Sequence, residues 1–398
     1  MSTLISQRAQ RIEASVTMVI STRAKEMKAQ GADVISLSVG EPDFDTPQHI
    51  KEAAIRAIEQ GFTKYTPSTG TPELKKAICA KLQRDNGLIY EPSQIAVGCG
   101  AKHSIFDALL VLVDEGDDVL IPAPYWVSYP EQVKVAGGKP VIVEPDCGLK
   151  VTSAALKAAV TDRSKALILN SPSNPSGVVY TKEELEGLAD VVLEAGLFVI
   201  SDEIYEKLVY DGMTHYSIAA LRKGMMERTV VINGVSKAYA MTGWRIGYAA
   251  GPTAIISAMG KIQSQETSNP ASISQAAALA ALTGPQDSVP VMVKAFDERR
   301  RYVVGRLNAM EGVFCPAPQG AFYAFPDVSA WYGSRYKGKV IGGSVDLCTF
   351  LLEEMKVACV PGAGFGMDAH IRLSYATSME NVVRAMDRME EGLGKLER

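Results

Sequence analysis

From VISLSV onward the chain repeats one texture, a short apolar run followed by a helix-length segment. QIAVGCG, DDVLIPAP, KPVIVEP, KALILNSP, GLFVISDE, TVVINGVS and RIGYAAGP are brief and rich in Val and Ile. Between most of them lie helical patterns such as HIKEAAIRAIEQG, TPELKKAICAKLQRDNG and HSIFDALLVLVDEG. Brief buried runs alternating with helices predict an α/β fold with a largely parallel sheet covered on both faces. Ligands of such open sheets bind at the carboxyl ends of the strands.

The texture changes near Asp287. A long charged helix, VKAFDERRRYVVGRLNAM, precedes GAFYAF, VDLCTFLLEEM, VACVPG and HIRLSYA, and a final helix starts at Ser378. This predicts a large domain over 46–286 and a smaller α/β domain over 287–398. The N-terminal segment 1–45 precedes the main alternation and is expected to pack with the small domain. A length of 398 residues suits two domains, because one core usually stops growing at about 250–300 residues.

Composition narrows the partners. Apolar residues make up 47% and charged residues 22%, with a net charge of −4. That balance is globular and has no basic field for nucleic acid or an anionic membrane, so a small-molecule partner is expected. Any anion site must be local. The cysteines, 6 in all, include no CxxC pair, and read as reduced thiols rather than a disulfide framework or zinc knuckle. No signal-peptide pattern or spanning apolar stretch occurs, so the expected compartment is the cytoplasm.

The chemistry lies at strand ends. Lys237 follows TVVING and a small-residue turn; alone, such a lysine reads as an exposed loop residue. Its company changes that reading. Asp202 and Tyr205 close GLFVISDE: a carboxylate there can hold a pyridine ring nitrogen protonated, and a phenol can reach the ring's oxygen. Asn174, between two prolines after KALILN, offers a fixed amide donor. In GCGAKH the amides of Gly100, Ala101 and Lys102 open a helix and can cradle a phosphate, with Ser236 and Arg245 completing the anion site. Trp126, after DDVLIPA, can lie flat on an aromatic ring. Arg372 sits on an apolar alternating strand, where its partner is either a substrate carboxylate or a structural Asp or Glu.

Together with GEPDFDTP, YTPSTG, YWVSYPE, NSPSNPSG, SDEIYE, SKAYAMTGWRIGY, PGAGFG and HIRLSYA, these residues make the chain resemble the class I pyridoxal-phosphate aminotransferases of fold type I, in the aspartate aminotransferase family. The resemblance spans nearly the whole chain. It implies that Lys237 forms the Schiff base with pyridoxal 5'-phosphate and moves the proton at the substrate's α-carbon. Asp202 would bind the ring nitrogen, Tyr205 and Asn174 the phenolic oxygen, and Trp126 the ring face. Gly100, Ala101, Lys102, Ser236 and Arg245 would hold the phosphate. Tyr65 matches a tyrosine that reaches the phosphate from a neighbouring subunit, which implies a homodimer with shared sites.

On the substrate side the resemblance implies Gly40, Trp126, Asn174, Lys102 and Arg372. Arg372 would clamp the α-carboxylate and Lys102 the distal one. The substrates expected are aspartate and glutamate with their 2-oxo acids, and prephenate is a further acceptor in this branch of the family. The alternatives are an aminotransferase for aromatic or neutral amino acids, and a non-catalytic regulator that binds the cofactor. A metal hydrolase has little support: the histidines are His49, His103, His215 and His370, with no HExxH pair. A dehydrogenase lacks its glycine fingerprint.

Overall fold

The computed structural model describes residues 4–12 and 16–398. Residues 1–3 and 13–15 of the N-terminal segment lie outside the described residues. The main sheet has 7 strands: β1 (Ile95–Gly98), β2 (Asp118–Pro122), β3 (Lys139–Val143), β4 (Ser164–Asn170), β5 (Phe198–Asp202), β6 (Thr229–Gly234) and β7 (Gly247–Ala250). Their spatial order is β1-β7-β6-β5-β4-β2-β3. β7 is antiparallel to β1 and β6, and every other neighbouring pair is parallel.

Alternation along the strands explains the two-sided burial. Ile121, Ile168 and Ile200 pack with Ile105 and Leu109 of the helix Ala101–Leu112. Their neighbours Leu120, Leu167 and Val199 point the other way, onto Leu185, Leu188 and Val192 of the helix Lys182–Ala195. Successive side chains of a strand face opposite sides, so a fully apolar run is what two helical layers require. The second helix begins where the pattern asks: Thr181 and Glu184 cap each other reciprocally, satisfying two otherwise orphaned amides. At the sheet edge β3 carries exposed Lys139 and then Pro140, residues that discourage further strand pairing.

A smaller antiparallel sheet runs Val360–Pro361, Ile371–Ser374, Tyr323–Ala324, with Ile371–Ser374 central. The helices Ser288–Ala309, Ser344–Glu353 and Met379–Leu393 enclose a core that includes Phe296, Leu307, Leu351 and Met386. Ile35–Ser36 pairs in parallel with Val357–Ala358. Tyr205 and Leu208, which follow β5, belong to the same core, so the segment after Asp202 is gripped from both sides.

The sequence reading marks no helix between RIGYAAGP and residue 287, and the structure has two there, Thr253–Glu266 and Ser272–Thr283. The second, SISQAAALAALT, is composed largely of small apolar residues. Such a composition shows little contrast between faces, so periodicity gives it little signal.

Candidate active site

The carboxyl ends of five parallel strands, β1, β2, β4, β5 and β6, and the start of antiparallel β7 face a cavity of about 370 Å³. Its lining includes Gly40, Ala101, Lys102, Trp126, Asn174, Asp202, Tyr205, Ser236, Lys237, Arg245 and Arg372. Eleven of the thirteen residues singled out from sequence therefore share one hollow. Gly100 stands just behind it. Tyr65 does not: it is 90% exposed.

The lining carries four cationic side chains, Lys102, Lys237, Arg245 and Arg372, against two carboxylates, Glu41 and Asp202. A local excess of positive charge in a chain of net charge −4 favours an anionic ligand.

One end of the hollow is built for an anion. The helix Ala101–Leu112 starts at Gly100, and Ala101 and Lys102 face the cavity, so unpaired N–H groups and the positive end of the helix point inward. Arg245 lies against this turn in the left-handed region at φ 56, where a side-chain-bearing residue is strained. Its Nη1 donates to Thr242 O at 2.9 Å and its Nη2 to Cys99 O at 3.3 Å. Gly247 makes the approach possible: a Cβ there would lie 2.2 Å from the Ala101 amide nitrogen, so only glycine lets β7 press on the helix start.

At the other end Arg372 is 3% exposed. Its Nη1 donates to Asn174 Oδ1 at 3.0 Å and its Nη2 to Ser38 O at 2.7 Å. Nε is buried without a hydrogen-bond partner, and among the described residues no carboxylate forms an ion pair with Arg372. Of the two partners left open by sequence, the structural Asp or Glu is thus not the one found. Burying an unpaired guanidinium is costly, and a ligand carboxylate is the group that would relieve it. Asn174 commits its amide oxygen to Arg372, which leaves its NH2 as the donor for a ligand.

Lys237 and Asp202 occupy the middle. Lys237 Nζ donates to Gly40 O at 2.6 Å. Burial pushes its pKa down to about 8; Glu41 opposes the shift, and Arg372 and Arg245 assist it. Desolvation is the largest cause, ahead of either guanidinium group. Asp202 is 4% exposed and accepts from Tyr129 Oη at 2.6 Å and from the Ile204 amide at 3.2 Å. Burial raises its carboxyl to about 6, so a cation placed against it would be welcome. Tyr205 Oη lies 2.8 Å from Tyr323 Oη. Lys102 Nζ sits 4.7 Å above the Trp126 ring, and Trp126 meets Tyr129 edge-on.

Sequence reasoning missed Tyr129, Tyr323 and Glu41. Tyr129 had a usable signal, three residues after Trp126 and thus one helical turn along. Tyr323 explains Gly40: any Cβ there would come 2.6 Å from the phenol oxygen.

Two histidine–carboxylate clusters lie outside the cavity lining. His103 accepts the Cys99 amide on Nδ1, which puts its ring proton on Nε2 toward Glu266 and removes the lone pair a metal needs. In the other, His215 Nε2 meets Glu203 and Glu206 pairs with Lys81, so a lysine already supplies the positive charge.

Several known enzymes are similar to this chain along nearly its whole length. An aspartate aminotransferase of Bacillus sp. (strain YM-2) is 52% identical over 98% of this chain and 99% of its own. An aspartate/prephenate aminotransferase of Cereibacter sphaeroides is 50% identical over 96% of each chain. The crystal structure of the Rhizobium meliloti aspartate aminotransferase superposes with a TM-score of 0.96 at 46% identity, covering 100% of both chains. That of the Thermus thermophilus enzyme with maleate gives a TM-score of 0.92 at 43% identity, over 98% of this chain and 99% of its own. The family model for aminotransferase class I and II matches residues 32–389. The chain therefore belongs to the class I and II aminotransferases, and its sheet and helices are those of fold type I.

Proposed function

We propose that the protein is an aspartate aminotransferase dependent on pyridoxal 5'-phosphate, exchanging amino groups between aspartate or glutamate and their 2-oxo acids. The observation that carries this reading is the cavity itself: a buried arginine without a carboxylate partner faces a lysine whose amine burial holds near neutral. The names of the relatives and the maleate of the Thermus structure, a dicarboxylate, support it.

The residues fit the cofactor. Asp202, raised by burial and lacking a strong cationic neighbour, suits the ring nitrogen. The amides of Gly100, Ala101 and Lys102 with Ser236 and Arg245 suit a phosphate. Tyr205 and the Asn174 NH2 suit the phenolic oxygen, and Trp126 suits the ring face. When bound, the cofactor supplies an electron sink for charge developing at the substrate's α-carbon. The chain's own groups do the rest. Arg372 holds the α-carboxylate and orients the Cα–H bond toward Lys237. The neutral Lys237 amine takes that proton and returns it elsewhere on the reacting framework, as base and then acid. Gly40 presents backbone rather than a side chain to the substrate, and Lys102 over Trp126 meets the distal carboxylate.

The chain is further read as a homodimer in the cytoplasm, with a small unit formed by 287–398 and the N-terminal segment. Exposed Ile55, Ile58, Phe62 and Tyr65 support a partner surface, and unpaired cysteines support a reducing compartment. The pairing of Ile35–Ser36 with Val357–Ala358 supports the small unit. Prephenate is a second acceptor under this reading, supported by the name of the Cereibacter relative.

A panel of donors and 2-oxo acid acceptors tests the assignment. Aspartate and glutamate should give the highest kcat/KM, and Lys102→Ala should raise KM for dicarboxylates about tenfold, the order expected for losing one partly buried charge contact. Neutral and aromatic donors should change little. Fastest turnover of aromatic donors, with dicarboxylates indifferent to Lys102→Ala, would contradict the substrate assignment.

A further inference from the structure

Tyr323 belongs to no role described so far, yet it touches three parts of the site. Its hydroxyl lies 2.8 Å from that of Tyr205. Its ring lies 4.7 Å beneath the guanidinium of Arg372. Its hydroxyl also fills the space a side chain at Gly40 would need. The residue is fully buried on the strand Tyr323–Ala324, whose partner strand carries Arg372: Leu373 pairs with Ala324 and Ser374 with Tyr323.

We infer that Tyr323 is a positioning residue whose hydroxyl donates to Tyr205 Oη, freeing the Tyr205 proton for the oxygen of the bound ligand. The inference rests on the reading of Tyr205 as a ligand of the cofactor's phenolic oxygen. A phenol has one proton. If Tyr205 spent it on Tyr323, none would remain for the ligand; if Tyr323 donates, Tyr205 becomes the middle of a chain. A hydroxyl that accepts a hydrogen bond is polarised into a better donor. The aromatic ring meanwhile supports the face of Arg372, a contact favourable to a desolvated cation, so hydroxyl and ring have separable duties.

The test compares Tyr323→Phe, Tyr323→Leu, Tyr205→Phe and the Tyr205→Phe/Tyr323→Phe double variant. The readouts are the visible absorption of the lysine-linked cofactor against pH, kcat and KM. Donation from Tyr205 stabilises negative charge on the ligand oxygen, so Tyr323→Phe should move the absorption midpoint upward by about one pH unit, a tenfold change in the protonation equilibrium. It should lower kcat with KM for the amino acid changed less than about twofold. Tyr323→Leu, which removes the ring as well, should also raise KM about tenfold. The double variant should match Tyr205→Phe, because both changes break one chain. A midpoint that falls or stays fixed in Tyr323→Phe, or losses that multiply in the double variant, would overturn the inference and leave Tyr205 in place. An unchanged midpoint in Tyr205→Phe would overturn both.

Discussion

Lys237→Ala is expected to lower turnover by about 10⁴-fold, the upper end of what one positioned acid–base group supplies, because the same amine is also the nucleophile. The fold should survive. What the variant loses structurally is a single hydrogen bond to Gly40 O, worth about 1 kcal/mol, while the burial that weakens the ammonium no longer has a charge to act on. Steady-state kinetics with aspartate and 2-oxoglutarate, beside thermal melts of both proteins, checks it. Turnover within tenfold of the parent would remove Lys237 from the chemistry.

Asp202→Asn should cost about 10²- to 10³-fold in turnover, comparable to losing one preorganised electrostatic group from an active site. The amide has nearly the shape of the carboxylate and can still accept from Tyr129, but it cannot balance a protonated ring nitrogen. The pH dependence follows with a definite sign. The free enzyme holds Asp202 protonated below about pH 6, and a cation at its side lowers that value, so binding releases a proton there. Cofactor affinity should therefore rise with pH up to about 6 more steeply in the parent than in Asp202→Asn, where only the cofactor's own phosphate still titrates in that range. Equal slopes in the two proteins would contradict the role given to Asp202.

Much of this site was legible because the chain puts chemically uncommon residues at the ends of apolar runs. Asp202 closes β5, Asn174 and Lys237 follow β4 and β6 within a few residues, and the sheet direction brings them together without further information. Arg372 was legible as a guanidinium in an apolar strand, although its missing carboxylate partner required coordinates. Tyr129 offered a signal in its spacing from Trp126, whereas Tyr323 was not legible, since an aromatic residue in an alternating pattern reads as core until its hydroxyl's partner is seen. The depressed lysine illustrates a different gap: sequence identifies neighbouring charges, whereas burial, the larger cause, is a property of the assembled fold. Gly247 belongs with these cases, its need for glycine arising from a contact with Ala101 more than a hundred residues away. Tyr65 lies beyond any single chain, because its proposed role depends on a second copy.

Under the proposed function Lys237 is an unusually acidic lysine that captures an aldehyde cofactor. The direct measurement is to mix the protein with pyridoxal 5'-phosphate across a pH series, trap with borohydride, and map the modified peptide by mass spectrometry. One labelled residue is expected, Lys237, with an initial trapping rate that rises with pH and is half-maximal near pH 8, where the amine loses its proton. Label spread over exposed lysines, or a rate at Lys237 that climbs only near the pH of an ordinary lysine, would contradict it.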